Sequence, residues 1–470
     1  MARQASENDS KAQARLRLVF DEGTIIVEGL EEGDDLGLPG LKFDPRTKAY
    51  RAPGIFYRQV VEHLREKKIP YRDEARSYEK EKWSIRVAKE AFPHQVEGLK
   101  AWWDHGGRGV VVLPTGTGKT HLANLAIERA ERPTLIITPT IDLMNQWYDE
   151  LTLTFASEVG LLGGGYNDIR SLTVTTYDSA YLNMGRVGNR FGLLVFDECH
   201  HLPGPSYGQA AVCALAPFRL GLTATPERAD FAHEHLETLI GPIVYRREIT
   251  QLRGEYLADY RVETLYVNLT EKERFDYEQS REIYRSFLTD AGIDMRRPGA
   301  WAQFLVTAHR SPEGRHAFLA YRRQRELAMA APAKLDLLGK LLERHNGDRI
   351  LIFTHDNATV YTIARQYLVP VITHQTKTKE RRDVLLRFNS GDYPIVATSR
   401  VLNEGVNVPE ANVAVVLSGS GSVREHVQRL GRILRKSGDK EATLYEVVTR
   451  GTVEEFTSNR RRQHSAYDAD

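Results

Sequence analysis

Short apolar runs that alternate with amphipathic segments are the feature that most limits the fold of this 470-residue chain. Between Arg108 and Ala224 the runs are GVVVLP, TLIITP, SLTVTTY, LLVFDE and RLGLTAT, and a second set that begins at Arg349 reads RILIFTH, VPVITH, PIVATS, NVAVVLS and ATLYEVV. Continuous apolar runs are typical of strands that crossover helices bury on both faces. The sequence therefore predicts an α/β fold with two doubly wound parallel sheets.

Two other segments have different patterns. Residues 14–30 alternate apolar and polar positions on both sides of a turn, which predicts a hairpin, and helical spacing of apolar residues follows from Tyr57 to Leu64. Residues 270–330 are charged and rich in aromatic residues, as in a helical insertion, and the charged run 72–82 is the expected linker. The predicted domains are an N-terminal α+β module at 1–75, a first α/β domain at 83–250, the helical insertion at 265–330 and a second α/β domain at 331–470.

Composition excludes some classes of protein but does not indicate a binding partner. Lys and Arg number 64 against 63 Asp and Glu, so bulk charge neither requires nor excludes a polyanionic partner. Cys199 and Cys213 are too few for a disulfide framework. No stretch reaches the roughly 18 apolar residues of a membrane span, and the polar start of the chain has no signal-peptide pattern. We expect a cytoplasmic protein with no membrane partner.

The segment LPTGTGKT, residues 113–120, places a glycine-rich turn between a predicted strand and a predicted helix. Glycine lets backbone N–H groups approach phosphate oxygens, and a helix N-terminus adds favourable dipole charge. Leu113 replaces the first glycine of the full P-loop pattern. The strand before and the helix after favour a nucleotide site over a simple glycine-rich turn. The residues assigned to the nucleotide here are Thr115, Gly116, Thr117, Gly118, Lys119 and Thr120, with Lys119 on the β- and γ-phosphates and Thr120 on Mg²⁺.

Two adjacent carboxylates end the run LLVFDE. Asp197 and Glu198 follow a buried strand, at the carboxyl edge where open sheets bind ligands. Asp197 suits a partner of Mg²⁺, and Glu198 suits a residue that orients and deprotonates an attacking water. A solvated turn is the alternative for such a pair alone, and its position after a phosphate loop favours catalysis.

An arginine-bearing helix is predicted in the second α/β domain. In SVREHVQRLGRILRK, residues 422–436, one face is apolar and another carries Gln428, Arg432 and Arg435 at i, i+4 and i+7. Guanidinium groups presented in this way can reach a γ-phosphate, as arginine fingers do. A surface helix with solvated arginines is the alternative.

The predicted helical insertion interleaves basic and aromatic groups, as does a surface that stacks on bases and neutralises phosphates. These residues are Phe304, Arg310, Arg315, Arg322, Arg323 and Arg325. A solvated helical face with a few core aromatics fits the composition equally well. The position between two α/β domains favours DNA.

The motifs together resemble those of superfamily 2 helicases, and more narrowly those of the XPB family in its short archaeal or bacterial form. AFPHQ resembles the Q motif, LPTGTGKT motif I, TPTIDLMNQW motif Ia, TVTTYDS motif Ib, DECH the DEAH-like motif II, GLTATPER motif III, ILIFTH motif IV, ATSRVLNEGVNVPEA motif V and QRLGRILR motif VI. The N-terminal module is similar to the family's damage-recognition domain, and residues 270–330 stand where the family has a thumb. The resemblance implies two RecA-like domains.

The resemblance also implies roles for individual residues. Gln95 would read adenine, Gly405 would contact the nucleotide, and Lys119, Glu198, Arg432, Arg435 and Gln428 would form the catalytic set. Thr120 and Asp197 would hold Mg²⁺, while Thr223, Thr225 and His200 would couple nucleotide state to domain closure. Thr140, Thr176, Ser399, Arg228 and Asp230 would contact DNA, mostly through phosphates, which suits a motor that steps along any sequence.

Two of the departures from the family pattern leave the function with alternatives. Asn407 stands where motif V has Asp, and Arg228-Ala229-Asp230 stands where the family has an Arg-Glu-Asp motif implicated in strand separation.

The expected function is an ATP-dependent DNA helicase or translocase of nucleotide excision repair, nucleoid-associated and 3′ to 5′ in polarity, which hydrolyses ATP with Mg²⁺ in the cleft between the RecA-like domains. It would act at junctions of single-stranded and duplex DNA with a nuclease partner. One alternative is an ATP-gated clamp that distorts DNA and recruits the nuclease with little processive unwinding, and another is an RNA-directed ATPase.

Overall fold

The computed structural model describes residues 16–34, 36–87, 89–228, 230–252, 256–257, 260–297, 299–399, 411–419 and 442–461. Among these residues, one compact unit ends at Arg247 and a second begins at Glu248.

The N-terminal module is a five-stranded sheet with one helix packed on it, within the described residues. Its strands are β1 (Leu16–Asp21), β2 (Thr24–Glu28), β3 (Lys42–Asp44), β4 (Ala49–Pro53) and β5 (Tyr71–Glu74), in the order β3-β4-β2-β1-β5, and its helix is α1 (Tyr57–Glu66). β1 and β2 pair antiparallel, with Asp21 opposite Thr24, so the predicted hairpin is confirmed. Helix α1 buries Tyr57, Val60, Val61 and Leu64 against the sheet, as its spacing predicts.

The charged segment predicted as a linker is attached to the fold at both ends. Its first residues belong to β5, which pairs in parallel with β1 at the edge of the sheet. Farther along, the Ser77 N–H donates to the Asn189 carbonyl at 2.8 Å, and the Glu81 N–H donates to the Glu131 carbonyl at 3.0 Å. An edge strand exposes alternate side chains to water, so β5 can carry charged residues. For this reason the sequence pattern did not indicate a strand here.

The module is a fixed part of the first unit. Leu215, from the α/β part, is buried in the module's own hydrophobic core. The Arg58 guanidinium on α1 donates to the Gly106 carbonyl at 2.6 Å. These contacts hold the N-terminal sheet on the α/β part.

The α/β part of the first unit contains an eight-stranded sheet in its described residues. The strands are β6 (Arg108–Val112), β7 (Thr134–Thr138), β8 (Val159–Gly163), β9 (Tyr166–Asn167), β10 (Leu172–Thr176), β11 (Leu193–Asp197), β12 (Phe218–Thr223) and β13 (Ile243–Arg246), in the order β13-β6-β12-β11-β7-β10-β8-β9. The helices are α2 (Pro93–Asp104), α3 (Lys119–Ala130), α4 (Ile141–Phe155), α5 (Tyr177–Val187), α6 (Gly208–Val212) and α7 (His235–Leu239), with 3₁₀ turns at Cys199–His201 and Ala232–Glu234.

All neighbouring strands of this sheet are parallel except β8 and β9. The register therefore brings the ends of β6, β12, β11, β7 and β10 to one edge: Thr223 pairs with Val112, Asp197 with Leu222, and Thr176 with Thr138. The five apolar runs predicted as buried strands in this part of the chain are these five strands.

The second unit has a six-stranded sheet in its described residues, and its paired strands are all parallel. The strands are β14 (Tyr260–Val267), β15 (Ile350–Phe353), β16 (Val371–Ile372), β17 (Ile395–Thr398), β18 (Val413–Val416) and β19 (Ala442–Thr449), in the order β14-β19-β18-β15-β17-β16. The helices are α8 (Ile249–Leu252), α9 (Glu271–Asp290), α10 (Ala300–His309), α11 (Pro312–Met329), α12 (Pro332–Arg344), α13 (Asn357–Tyr367), α14 (Thr378–Ser390) and α15 (Val453–Arg461).

The five predicted runs of the second unit are β15 to β19, and β14 is an addition. It precedes the helical segment in the chain and pairs with β19 along eight residues. The predicted fold class, α/β with two doubly wound parallel sheets, is confirmed.

Helices α9 to α11 form the predicted helical insertion around an aromatic cluster. Phe304 lies at its centre, with ring centroids 5.3 Å from both Tyr284 and Trp301. It is fully buried, so it serves as a core aromatic and offers no face to a base. The exposed ring of the cluster belongs to Trp301.

An ion pair is buried in the second unit. Lys334 on α12 and Glu454 on α15 approach to 2.6 Å, and the two side chains are 1% and 0% exposed. The same ammonium donates to the carbonyls of Leu417 and Val447. In the described ranges no helix is long and apolar enough to cross a membrane.

Candidate active site

The phosphate loop joins β6 to α3 and offers hydrogen-bond donors. Gly116 and Gly118 have φ of 90° and 82°, a backbone conformation that glycine adopts without strain. Within the described residues, no backbone N–H from Gly116 to Thr120 donates to another protein group. The first N–H groups of a helix lack partners in the helix itself, so this loop presents a row of open donors.

The side chains of the loop also fit a polyphosphate. The Thr115 hydroxyl is buried and has no partner in the described structure. The Lys119 ammonium lies over the loop and donates to the carbonyls of Leu113 and Pro114, at 3.1 and 3.4 Å. Because the hydrogen bonds of this ammonium within the described residues go to neutral carbonyls, it is available to an anion. The donor set therefore fits the phosphates of ATP.

Gln95 and His94 contact backbone carbonyls of the phosphate loop. The Gln95 amide donates to the carbonyls of Thr117 and Gly118 at 3.0 and 3.2 Å, and its oxygen accepts from the Phe92 N–H at 2.9 Å. His94 Nε2 lies 2.9 Å from the Thr117 carbonyl. Gln95 is fully buried, so its assignment to adenine stays a prediction that requires this amide to change partners.

Asp197 ends β11 in a buried setting. The Trp147 indole donates to its Oδ2 at 2.7 Å, and the Glu198 N–H donates to its Oδ1 at 3.0 Å. Burial, and then the neighbouring charge of Glu198, raises the pKa of Asp197 to about 6, while the Trp147 hydrogen bond and the charge of Lys119 oppose that rise. A buried carboxylate at the carboxyl edge of the sheet is suited to a divalent cation, which would neutralise the developing charge on phosphate oxygens.

Glu198 and the residues assigned to coupling converge on one hydroxyl. The Thr223 Oγ1 at the end of β12 donates to Glu198 Oε2 at 3.4 Å, lies 3.0 Å from His200 Nδ1 and accepts from the Thr225 N–H at 3.2 Å. Glu198 itself has φ of 47°, in the left-handed region that a residue with a side chain rarely adopts. The fold thus connects the assigned general base to the assigned coupling residues by direct hydrogen bonds.

Arg228 and Asp230 are bonded to each other. Two guanidinium nitrogens reach the two carboxylate oxygens at 2.9 and 2.7 Å, and a third donates to the His200 carbonyl at 2.9 Å. This pair keeps the pKa of Asp230 well below its usual range. The loop after β12 is thereby attached to the turn that follows Glu198.

The residues assigned to DNA phosphates begin helices or end strands. Thr140 and Thr176 cap the N-termini of α4 and α5 by accepting from the N–H groups of Leu143 and Ser179. Thr140 follows β7 and Thr176 ends β10, at the same sheet edge as Asp197. Ser399 lies just after β17 in the second unit and is buried. Their contacts with DNA stay predictions.

Several assigned residues lie outside the described part of the chain. They are Gly405, Asn407, Gln428, Arg432 and Arg435, together with Ala229. Their assigned roles stay predictions from the sequence. Within the described ranges, Trp147 and His94 also contact the candidate site, and the sequence did not predict a role for either. Both stand inside quoted motifs, TPTIDLMNQW and AFPHQ.

Comparison with known proteins gives the family. Family models match residues 18–75 as "Xeroderma pigmentosum group B helicase damage recognition domain", 88–228 as "Type III restriction enzyme, res subunit" and 333–437 as "Helicase conserved C-terminal domain". The chain is 39% identical over 434 residues to a protein of Sulfurisphaera tokodaii named "DNA 3'-5' translocase XPB2", across 91% of this chain and 97% of that one. The chain belongs to the XPB family of superfamily 2 helicases. The expected enzyme class, a DNA-dependent ATPase of the helicase type, is therefore confirmed.

Two further comparisons concern one relative by sequence and one solved structure. The "DNA 3'-5' helicase XPB" of Kineococcus radiotolerans is 30% identical over 395 residues, and the match spans 81% of this chain but 62% of that one. The structure entitled "Crystal structure of Pyrococcus furiosus Hef helicase domain" has a TM-score of 0.53 and 18% identity, covering 78% of this chain and 97% of its own. At 18% identity, the likeness to this structure shows the fold alone.

Proposed function

We propose that this chain is an ATP-driven DNA translocase of DNA repair that moves 3′ to 5′ and opens DNA as it moves. The observation that carries the proposal is the convergence of Lys119, Asp197, Glu198 and Thr223 at one edge of the first sheet. Relatives named as 3'-5' translocase and helicase, and the match of residues 18–75 to a damage recognition domain, support the polarity and the role in repair.

The residues of the first unit divide the work of hydrolysis. Lys119 and the open N–H groups of the loop hold the β- and γ-phosphates of ATP, while Thr120 and Asp197 would hold Mg²⁺, which supplies charge neutralisation when bound. Glu198 orients the attacking water and takes its proton. Thr223 and His200 then carry the state of Glu198 to the loop that holds Arg228. The proposal also includes Gln428, Arg432 and Arg435 in the catalytic set, and their roles rest on the sequence alone.

A second function, an ATP-gated clamp that distorts DNA and recruits a nuclease, is favoured by the Arg228–Asp230 ion pair. These two charges neutralise each other, and alanine separates them where the family has glutamate. The loop therefore offers less net charge for separating strands. In this case DNA stimulates ATP hydrolysis without strand displacement.

The deciding experiment measures steady-state ATP hydrolysis with no nucleic acid and with single-stranded DNA, duplex DNA, forked DNA or RNA. Lys119→Ala is the blank, and Lys100→Ala is its matched control because Lys100 is an exposed lysine that pairs with Asp104 on α2. We expect DNA to raise the rate several-fold in the wild type and in Lys100→Ala, with no turnover in Lys119→Ala.

Strand displacement on the forked DNA separates the two functions. Displacement supports the translocase that opens DNA, and stimulation without displacement supports the clamp. Equal stimulation by RNA, or ATP hydrolysis by Lys119→Ala, would contradict both.

A further inference from the structure

A cavity of about 680 Å³ lies within the second unit. One wall is the C-terminal half of α11, with Tyr321, Arg322 and Arg325, and the other is formed by His355 and the first turn of α13. This volume is in the range of pockets that hold small organic ligands. The proposed function gives it no role.

Arg325 brings a half-buried positive charge to this cavity without a carboxylate partner. Its guanidinium donates to the Tyr321 hydroxyl and to His355 Nε2, both at 2.8 Å, and to the Met329 sulfur at 3.5 Å. Because a guanidinium has only donors, His355 Nε2 must be the acceptor. All three groups are uncharged, and Arg325 has no ion pair among the described residues. A partly desolvated cation of this kind favours an anionic ligand.

The acids near the cavity are engaged elsewhere. The Asp356 carboxylate caps α13, where it accepts from the N–H and the hydroxyl of Thr359, both at 2.9 Å. Glu326 is exposed and pairs with Arg323 at 3.3 Å. Arg322, in contrast, makes no hydrogen bond or ion pair within the described part of the chain and is exposed beside the cavity. Two guanidinium groups therefore remain for an anion.

The rest of the cavity suits a flat ring. The Tyr321 ring is fixed in place by Trp301 and Tyr284, whose centroids are 4.9 and 5.1 Å away. The side chains of Met329 and Leu335 add apolar surface to the lining. A ligand with a planar ring and a phosphate would match both the aromatic and apolar lining and the two guanidinium groups. A nucleotide has both parts.

We propose that this cavity holds one nucleotide of the bound DNA strand, with its base against Tyr321 and its phosphate on Arg322 and Arg325. The inference rests on the proposed function, because it takes DNA as the substrate. An aromatic platform accepts any base, and guanidinium contacts to phosphate carry no sequence information, so such a site is compatible with movement along any sequence. The helical insertion and the second sheet would then grip the strand together.

The test measures the binding of a 3′-tailed DNA duplex whose junction fixes the register, with one abasic site placed at each tail position in turn. Loss of a stacked base costs about 1–3 kcal/mol, so the wild type should bind one of these DNAs roughly tenfold more weakly than the intact tail. Tyr321→Leu should bind the intact tail about tenfold more weakly and show no further loss at that position, because ring and base act as one pair.

Arg322→Gln is the second variant, and it keeps the test valid if Tyr321→Leu folds poorly, because Arg322 makes no hydrogen bond or ion pair with the residues that the structure describes. It should weaken binding equally at all tail positions and lower the salt dependence by about one ion. Arg285→Gln is the matched control, since Arg285 is an exposed arginine of the same insertion outside the cavity. It should bind as the wild type does.

The outcomes separate this inference from the proposed function. If DNA binds and stimulates ATP hydrolysis but the abasic penalty persists in Tyr321→Leu, the inference is overturned and the function stands. If the wild type neither binds DNA nor responds to it, both fail. Competition by thymidine 5′-monophosphate at micromolar concentration would assign the cavity to a free nucleotide and overturn the inference.

Discussion

The indole of Trp147 donates a hydrogen bond of 2.7 Å to the carboxylate of Asp197, and both residues are buried. Trp147 lies on α4, the helix that Thr140 caps, and Asp197 ends β11. One helix thus joins a residue assigned to DNA phosphates to the carboxylate assigned to Mg²⁺. A shift of α4 on DNA binding would act directly on Asp197.

The first prediction concerns Trp147→Phe. The Trp147 hydrogen bond lowers the pKa of Asp197, which burial and Glu198 raise to about 6. Without this hydrogen bond the pKa rises further, and protonation removes the negative charge that a cation needs. The acid limb of the pH profile of kcat/KM for ATP should therefore move to higher pH, with an additional loss of roughly threefold at pH 6 and little change at pH 8.

Trp103→Phe is the control for this shift. Trp103 belongs to the same unit and packs on Phe218 with centroids 5.8 Å apart. Phe218 begins β12, whereas Asp197 pairs with Leu222 near the other end of that strand. Its pH profile should match that of the wild type. An unmoved acid limb in Trp147→Phe would show that Asp197 does not set it.

The second prediction tests Thr223 as the coupling point. Thr223→Val keeps the shape of the side chain and removes the hydroxyl that joins Glu198, His200 and the Thr225 N–H. We expect the stimulation of ATP hydrolysis by DNA to fall about tenfold, because a positioned hydrogen bond in a buried site contributes on the order of 1–2 kcal/mol. Binding of a fluorescent ATP analogue should be retained.

Thr223→Ser restores the hydroxyl and should restore most of the stimulation. Equal stimulation in the valine and serine variants would mean that coupling bypasses this hydroxyl.

The strands that the sequence revealed are those with two buried faces. β6, β7, β10, β11 and β12 are continuous apolar runs because helices cover both faces of the sheet. β13 was missed because its four residues are exposed or half-buried and it is held at the sheet edge by pairing with β6. β14 was missed because its charged and apolar residues mix, and its position depends on β19, which follows far along the chain.

The site was predictable where chemistry is local in the chain. Residue type and spacing alone indicate the assigned roles of the loop that ends in Lys119 and of the Asp197-Glu198 pair, and these roles stay predictions. The contacts of Trp147 and His94 depend on tertiary packing, which spacing along the chain does not encode. The same holds for Gln95: the motif indicates that it is used, and only the fold shows that its amide holds the carbonyls of the phosphate loop.

The third prediction concerns Gly118→Ala. Gly118 has φ of 82°, and a Cβ there would collide with the amide nitrogen of Gln95. The substitution combines a strain of about 1–2 kcal/mol with displacement of the loop, so kcat/KM for ATP should fall at least tenfold.

Gly165→Ala is the matched control for backbone strain. Gly165 has φ of 94°, but the space around its would-be Cβ is open. It should have a similar cost in thermal stability and normal ATP hydrolysis. If both variants lose activity equally, strain alone explains the effect and the contact with Gln95 does not.

The last prediction concerns the buried pair of Lys334 and Glu454. Lys334→Met leaves a carboxylate buried without its cation, which should cost about 3–5 kcal/mol of unfolding free energy in denaturant titrations of the full chain. Glu454 also accepts from the Thr449 N–H at 2.9 Å, so the double variant Lys334→Met/Glu454→Gln removes the charge and keeps that acceptor. The double variant should recover about half of the unfolding free energy that Lys334→Met loses. A double variant no more stable than the single one would show that the ammonium's bonds to the carbonyls of Leu417 and Val447, rather than the ion pair, hold α12 on the second sheet.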